Sequence, residues 1–378
     1  MSTAYRTRRI LMTTDVIGGV FHYALELAAA LADHGVVTAL ATMGPAMTHG
    51  QRSAARAVPG LELYESTYRL EWMPEPWTDV ERAGTWLREL EAKIAPDVVH
   101  LNGYAHADLP FRAPTVVVAH SCVLSWWQAV RGSAAPANYD EYRRRVTRGL
   151  LAASQVVAPT HSMARALHAH YGQSFSCRVI ANGRSPIGYR AANKEPYVLA
   201  MGRLWDDAKN IGALAEIAGS LPWPVRVAGC AALDKSHSAA SESWTNIELL
   251  GQLDSRAARA ALAGASIYAL PARYEPFGLS VLEAALSSCA LVLSDIPSLR
   301  ELWDGCALFV APDDHDALRR AILQLTETPK ERASLAKVAR DRALRYGRDS
   351  MGRAYLSNYE ELLVDRTSLA ELQVVQCA

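Results

Sequence analysis

Ile267-Tyr268-Ala269-Leu270-Pro271-Ala272-Arg273-Tyr274-Glu275-Pro276-Phe277-Gly278-Leu279-Ser280-Val281-Leu282-Glu283 reads as a strand, a loop and the opening of a helix. The apolar run ending at Leu270 suits a buried strand, two prolines and a glycine turn the chain, and a helix begins near Leu279. The same unit recurs on both sides. Upstream, Arg9 to Thr14 reads as a first strand, Gly18-Gly19 as a turn, Val20 to His34 as a helix and Val36 to Met43 as the next strand. Asp97–Leu101, Thr115–His120, Gln155–Pro159 and Arg178–Ala181 continue the series. After a polar break at 190–196 it starts afresh with Tyr197–Met201, Val225–Ala228, Ile247–Leu250, Ile267–Leu270, Leu291–Ser294 and Ala307–Val310. Strands alternating with helices imply parallel α/β layers. Two domains are expected, 1–190 and 191–349. A helix over Lys330–Arg345, a break at Tyr346-Gly347 and a last helix, about 350–378, follow, with the last packing back on the first domain.

Composition narrows the function. The 378 residues are 50% hydrophobic and 21% charged, and 39 basic side chains balance 39 acidic ones. That is a globular profile with room for two cores. Zero net charge gives no long-range attraction to nucleic acid or acidic membranes, and small or locally recognised partners are expected instead. Six cysteines (Cys122, Cys177, Cys230, Cys289, Cys306, Cys377) contain no CxxC pair, which suits a reducing cytoplasm. The basic start is followed by an apolar run too broken for a signal peptide, and no window reaches the length needed to span a bilayer, so membrane contact is at most peripheral.

Several chemistries lose support. There is no GxxxxGK[ST] loop, no GxGxxG after the first strand, no HExxH, no GxSxG and no cysteine–histidine quartet. His161, His168 and His170 share one expected helix, where exposed histidines are commoner than a metal site. Arg143, Arg144, Arg145 and Arg148 form a dense basic run, read either as a solvated helix face or as a contact for a phosphorylated or lipid acceptor.

Two segments carry chemistry. In the opening stretch, the helix starting at Leu279 aims unpaired N–H groups at the loop, which favours an anion. Glu275 in the loop and Glu283 on the helix could accept hydrogen bonds from different hydroxyls of one ligand, a pattern suited to a polyol. Read singly, they would be a loop charge and a helix-face charge. In Met201-Gly202-Arg203-Leu204-Trp205-Asp206-Asp207-Ala208-Lys209-Asn210, Arg203 and Lys209 put two cations at the carboxyl edge of a parallel sheet, where such folds bind ligands and where a diphosphate could be clamped. A solvated loop neutralised by Asp206 and Asp207 is the plainer reading. Lysine is scarce in this arginine-rich chain, which favours a role for Lys209.

These residues resemble the retaining glycosyltransferases of family 4, which have the GT-B fold: two Rossmann-like, doubly wound parallel-sheet domains facing a central cleft. Glu275 to Glu283 is similar to the family's E-x7-E motif and Arg203 to Asn210 to its GR…KN segment. Asp15-Val16-Ile17-Gly18-Gly19 resembles the family's glycine turn, Asp97-Val98-Val99-His100 its DVVH strand, His120 the histidine ending a later strand, and Ala181-Asn182-Gly183 its NG step. The resemblance covers nearly the whole chain. There are departures: the Arg203–Lys209 spacing is one residue longer than in many members, Asn182-Gly183-Arg184 lacks the aspartate that often follows, and Ile296-Pro297-Ser298-Leu299-Arg300-Glu301 replaces a frequent glycine pair.

The resemblance implies a hexosyl transfer from a nucleotide sugar, with UDP-hexose first and GDP-mannose second, to an acceptor hydroxyl, without a metal or other cofactor. By the same resemblance Arg203 and Lys209 hold the pyrophosphate, Glu283 the ribose, and Glu275 and His120 the transferred sugar. Gly18, Gly19, Phe277, Gly278 and Leu279 line the donor, with backbone N–H groups around Gly19 and at Gly278–Leu279 as neutral donors. A core histidine is the plainer reading of His120. The acceptor is expected on the first domain, near the aromatic stretches Tyr68–Trp77 or Ser125-Trp126-Trp127 with Tyr139 and Tyr142, which equally suit ordinary packing. The rival readings are a noncatalytic nucleotide-sugar-binding protein, an epimerase, a phosphorylase needing a lysine-bound pyridoxal group, and, least supported, a dehydrogenase.

Overall fold

Every strand pairing in the two sheets is parallel. The computed structural model describes residues 7–230 and 244–376, so Cys377 lies outside the described residues. Contacts divide the chain into two units, the first Met1–Ser125, Ala135–Gly183 and Arg348–Ala378, the second Trp126–Ala134 and Arg184–Gly347.

In chain order the elements leading into the first sheet are β1 (Arg9–Asp15), α1 (Gly19–Ala32), β2 (Val37–Met43), α2 (His49–Arg56), β3 (Leu61–Glu65), α3 (Trp77–Ile94), β4 (Val98–Leu101), β5 (Thr115–Val118), α4 (Val123–Arg131), α5 (Asp140–Ala152), β6 (Gln155–Ala158), α6 (His161–Tyr171) and β7 (Cys177–Val179). The strand order is β3-β2-β1-β4-β5-β6-β7. Strands β4 and β5 are buried along their whole length, as expected of parallel strands covered by helices on both faces. Edge strand β3 is half-exposed and mixes apolar with acidic residues, so it lacks the continuous apolar run that marks its neighbours. Helix α1 buries Phe21, Tyr23, Ala24, Leu27, Ala28 and Leu31 along one face. Trimming the fully buried Leu27 to alanine costs about 2–5 kcal/mol.

The second unit runs β8 (Glu195–Met201), α7 (Ile211–Ala218), β9 (Val225–Ala228), β10 (Ile247–Gly251), α8 (Ser255–Gly264), β11 (Ala265–Leu270), α9 (Leu279–Leu286), β12 (Ala290–Ser294), α10 (Pro297–Trp303), β13 (Leu308–Val310), α11 (His315–Glu327) and α12 (Pro329–Ala343). Its order is β10-β9-β8-β11-β12-β13. All six residues of β11 are buried. The chain then returns through α13 (Arg348–Gln376), which belongs to the first unit. There Gly352 packs so closely on α1 that a Cβ would come within 2.6 Å of the Ala30 Cβ.

The division falls at Gly183/Arg184, a few residues before the polar break at 190. The segment Trp126–Ala134 also belongs to the second unit, which the sequence reading had kept in the first domain with its aromatic neighbours.

In each sheet the strand order reverses once. β1 is flanked by β2 and β4, and β8 by β9 and β11. At such a switch point the two connections leave toward opposite faces of the sheet, opening a crevice at the carboxyl ends of the strands. The loops after β1 and β4 bound one crevice and the loops after β8 and β11 the other.

Candidate active site at the sheet switch points

The loops after β8 and β11 are the two segments singled out by their chemistry. Asp206 turns the first of them: its Oδ1 accepts from the Ala208 N–H at 3.0 Å, closing a short 3-10 turn over Asp207–Lys209. Asn210 ends that turn in the left-handed region at φ 53°, which asparagine tolerates. Its side-chain amide donates to the Pro271 and Pro312 carbonyls at 2.9 Å each, so Asn210 ties loops together and does not face a ligand with that group. The Arg273 N–H donates to the Ala208 carbonyl at 2.8 Å and binds the two loops along their backbones. Behind them Gly229 permits a close approach, since a Cβ there would sit 1.7 Å from the Gly202 carbonyl oxygen.

Lys209 Nζ lies 2.6 Å from Glu275 Oε2, and the two side chains are only 15% and 13% exposed. Glu275 Oε1 accepts from the Gly278 N–H at 3.0 Å, and the Glu275 carbonyl accepts from Ser298 Oγ at 2.5 Å. Ser298 comes from the stretch that departs from the family pattern, and it latches the loop. Gly278 adopts φ +85°, open to glycine and strained for other residues, and precedes α9 without any side-chain cap. The first N–H groups of α9 therefore point into the loop with no side chain among the described residues satisfying them. Phe277 is buried with its ring 5.9 Å from that of Tyr346, so what it can offer a ligand is backbone.

Arg203 stands 39% exposed, with Nη2 2.6 Å from Asp206 Oδ2 and its guanidinium 5.2 Å from the Trp205 ring centre. Its buried Nε has no partner among the described residues. Burial alone would raise the Asp206 carboxyl, but the Arg203 and Lys209 charges and the hydrogen bonds from Trp126 and Arg203 hold it below its ordinary value. The Trp126 contact is a direct one, Nε1 to Asp206 Oδ1 at 3.1 Å, and Arg131 pairs with Asp207 at 2.6 Å. Trp126 thus braces the cationic loop. Glu283, one turn into α9, pairs with Arg184.

In the first unit the switch point carries a buried polar network. The Asn102 amide nitrogen donates to the Thr13 carbonyl at 2.7 Å, which orients the amide so that Oδ1 accepts. That oxygen meets His120 Nε2 at 2.8 Å and His100 Nε2 at 3.2 Å, so both imidazoles donate from Nε2. His100 Nδ1 then accepts from the Tyr359 hydroxyl at 2.6 Å, and the His120 ring sits 4.4 Å from that of Tyr23. Burial, helped by the charge a protonated His100 would carry, lowers His120 to about 3. Burial lowers His100 to about 3 against the raising effect of Asn102. Both rings are neutral at ordinary pH. Gly18 and Gly19 open α1 after β1, where Asp15 Oδ1 accepts from the Ile17 N–H at 2.9 Å.

Arg203, Lys209, Glu275, Phe277, Gly278, Leu279 and Glu283 thus share the second unit's switch point, and Gly18, Gly19 and His120 belong to the first unit. Sequence reasoning missed Asn102, two residues beyond His100 in the same strand-end segment; it named Trp126 as an aromatic candidate and Arg184 as a departure but not their contacts with Asp206 and Glu283, because those partners lie far away in sequence. The basic run is answered by carboxylates: Arg144 and Arg145 pair with Glu141, Arg145 with Glu81, and Arg148 with Asp108. Of the aromatic candidates, Tyr142 is a core residue, and Tyr68 and Trp72 pack against a buried cluster. Among the described residues no group of three His, Cys, Asp or Glu side chains is placed to hold a metal, and no helix is long and apolar enough to cross a membrane.

Residues 17–186 match the family model described as Glycosyltransferase Family 4, and residues 195–328 that described as Glycosyl transferases group 1. The chain belongs to the family 4 glycosyltransferases. This family 4 glycosyltransferase is 26% identical over 357 residues, 88% of its length and 87% of the relative's, to the phosphatidyl-myo-inositol mannosyltransferase of Mycolicibacterium smegmatis. It is 29% identical over 177 residues, 45% of its length and 46% of the relative's, to the N,N'-diacetylbacillosaminyl-diphospho-undecaprenol alpha-1,3-N-acetylgalactosaminyltransferase of Campylobacter jejuni. Among solved structures, sucrose-phosphate synthase from Thermosynechococcus elongatus superposes with a TM-score of 0.79 at 18% identity, over 95% of this chain and 100% of that one. Anabaena HepE in complex with UDP and glucose gives 0.74 at 16%, over 94% and 100%. At these identities the likeness is one of fold, and with two parallel-sheet α/β units the fold is GT-B.

Proposed function

We propose that this glycosyltransferase moves a hexose from a nucleotide-sugar donor, UDP-hexose first, to an acceptor hydroxyl with retention of anomeric configuration. Breaking the sugar–phosphate bond leaves negative charge on the diphosphate while the anomeric carbon becomes cationic, so fixed positive groups near the leaving oxygen lower the barrier. Arg203 and Lys209 supply that charge themselves, and the N–H groups at the start of α9 add neutral donors. Glu283 accepts from the ribose hydroxyls, and Glu275 from those of the transferred sugar. With both its rings neutral, the His100–His120 pair acts by hydrogen bonding and not as a charged acid. The departing phosphate helps to deprotonate the acceptor hydroxyl as the new bond forms on the same face.

The observation that carries this reading is the 2.6 Å contact of Lys209 with Glu275, which joins a phosphate-type cation and a polyol-type carboxylate from motifs 66 residues apart. The Arg203 Nε, unpartnered among the described residues, supports an anion as the ligand. A mannosyl donor is the second reading, favoured by the mannosyltransferase relative aligned over most of the chain. A thermal-shift screen of UDP, GDP, ADP and their hexoses, followed by product analysis on an acceptor panel, tests both, because a ligand bound only by the folded state raises its melting temperature. Stabilisation by one nucleotide and transfer of its sugar with retained configuration are expected. Binding without hydrolysis or transfer would leave a nucleotide-sugar sensor, and no shift with any of them would overturn the donor class.

A further inference from the structure

Arg184, the first residue of the second unit after Gly183, occupies the step where the chain departs from the family pattern. Its side chain is 9% exposed, and its Nη2 lies 2.6 Å from Oε1 of Glu283, itself 13% exposed. Nε donates to the Tyr189 hydroxyl at 3.1 Å, and the guanidinium carbon is 5.8 Å from the Tyr189 ring centre. Burial, helped by the Glu283 charge, pushes the pKa of the Tyr189 hydroxyl up, and Arg184 stands in direct contact with both Glu283 and Tyr189. The backbone beneath it is pinned as well: the Arg184 N–H donates to the Tyr346 carbonyl at 3.0 Å and the Tyr189 N–H to the Pro186 carbonyl at 3.1 Å.

A buried ion pair is weak as a source of net stability, since desolvating two charges offsets most of their attraction. It is better at orientation. A glutamate on a helix has three rotatable side-chain bonds, and a guanidinium fork fixes the plane of the carboxylate it meets. An ionised carboxylate has about four acceptor positions, so Arg184 leaves capacity for hydroxyl groups. We propose that Arg184, backed by Tyr189, is a positioning residue that holds the Glu283 carboxylate in the orientation that receives the ribose hydroxyls of the donor nucleotide. This rests on the ribose role given to Glu283 above.

The test compares affinities for UDP and 2'-deoxy-UDP, with GDP and 2'-deoxy-GDP as the pair if UDP does not bind, by titration calorimetry on the full chain. The proteins are wild type, Arg184→Lys, Tyr189→Phe and Glu283→Gln. The wild type is expected to prefer the ribonucleotide by about tenfold or more, the scale of a hydrogen bond to a charged group. Glu283→Gln loses most of that preference. Arg184→Lys keeps the charge but not the fork, and brings the ratio to within about threefold of unity while affinity for the deoxynucleotide stays unchanged. Tyr189→Phe lowers the ratio less, and it decides the matter if the lysine variant does not fold. If Glu283→Gln loses the preference while Arg184→Lys and Tyr189→Phe keep it, Arg184 has no positioning role and the ribose assignment stands. Equal weakening of both nucleotides in the lysine variant marks a purely structural residue and likewise overturns the proposal. A wild type without any ribose preference overturns the role of Glu283, and the proposal with it.

Discussion

Lys209 Nζ and Glu275 Oε2, 2.6 Å apart in a largely buried pair, set the charge of the second unit's switch point. Each side chain meets the other's charge, so neither is left alone in the largely buried loop. A lysine holds three donors and a carboxylate about four acceptor positions, so the pair retains hydrogen-bonding capacity for a ligand carrying both phosphate and hydroxyl groups.

Replacing either cation by alanine is expected to lower turnover by about a hundredfold or more, the scale of losing one preorganised charge-stabilising group. Lys209→Ala also leaves the Glu275 carboxylate buried without its ion-pair partner and costs roughly 3 kcal/mol of stability. Arg203→Ala, at a more exposed side chain, costs less. Steady-state kinetics and denaturant unfolding on the same preparations separate the two effects. Near-normal turnover in both variants would refute the roles assigned.

The two neutral histidines of the first unit make stability depend on pH. Their folded pKa values of about 3 lie below the roughly 6.5 of an unfolded histidine, so between these limits the unfolded chain binds more protons. Stability is complete above about pH 6.5 and falls on acidification by up to about 1.4 kcal/mol per pH unit for each ring. Imidazole resonances of His100 and His120 followed from pH 8 to 5 are expected to stay put. A midpoint near 6.5 for either would contradict the buried neutral state.

Asn102 satisfies both imidazoles and the Thr13 carbonyl at once. Asn102→Leu orphans several buried polar groups, each costing about 1–3 kcal/mol, and is expected to lower the melting temperature of the first unit by several degrees. Differential scanning calorimetry resolves it. An unchanged transition would mean that the network is not stabilising.

Gly278→Ala puts a Cβ 3.1 Å from Val281 Cγ2 and 3.4 Å from Glu275 Cγ, at φ +85°. The expected cost is about 1–2 kcal/mol, and the donor KM rises because the start of α9 and Glu275 shift together. A variant with wild-type stability and KM would show that the loop tolerates a side chain there.

Trp126→Phe removes the indole donor to Asp206 while preserving the aromatic bulk. A loss of about 1 kcal/mol and a several-fold drop in turnover are expected, with the nearby Arg203 less firmly held. Turnover equal to wild type would confine the tryptophan to packing.

The alternation of apolar runs with amphipathic stretches was enough to read two parallel-sheet units, because strands covered on both faces must be apolar nearly throughout, as β11 is. The donor-side motifs were legible for a related reason: Arg203 to Lys209 and Glu275 to Glu283 each lie within one loop-to-helix segment, where local spacing carries the chemistry. Edge strand β3 and helices α2, α3 and α4 were not read, since half-exposed elements mix polar and apolar residues. The partnerships Arg184–Glu283, Trp126–Asp206 and His120–Asn102 belong to the tertiary structure alone. Strand order decides which loops meet at a switch point, and no local pattern encodes which distant side chain will neutralise a charge once that crevice is buried.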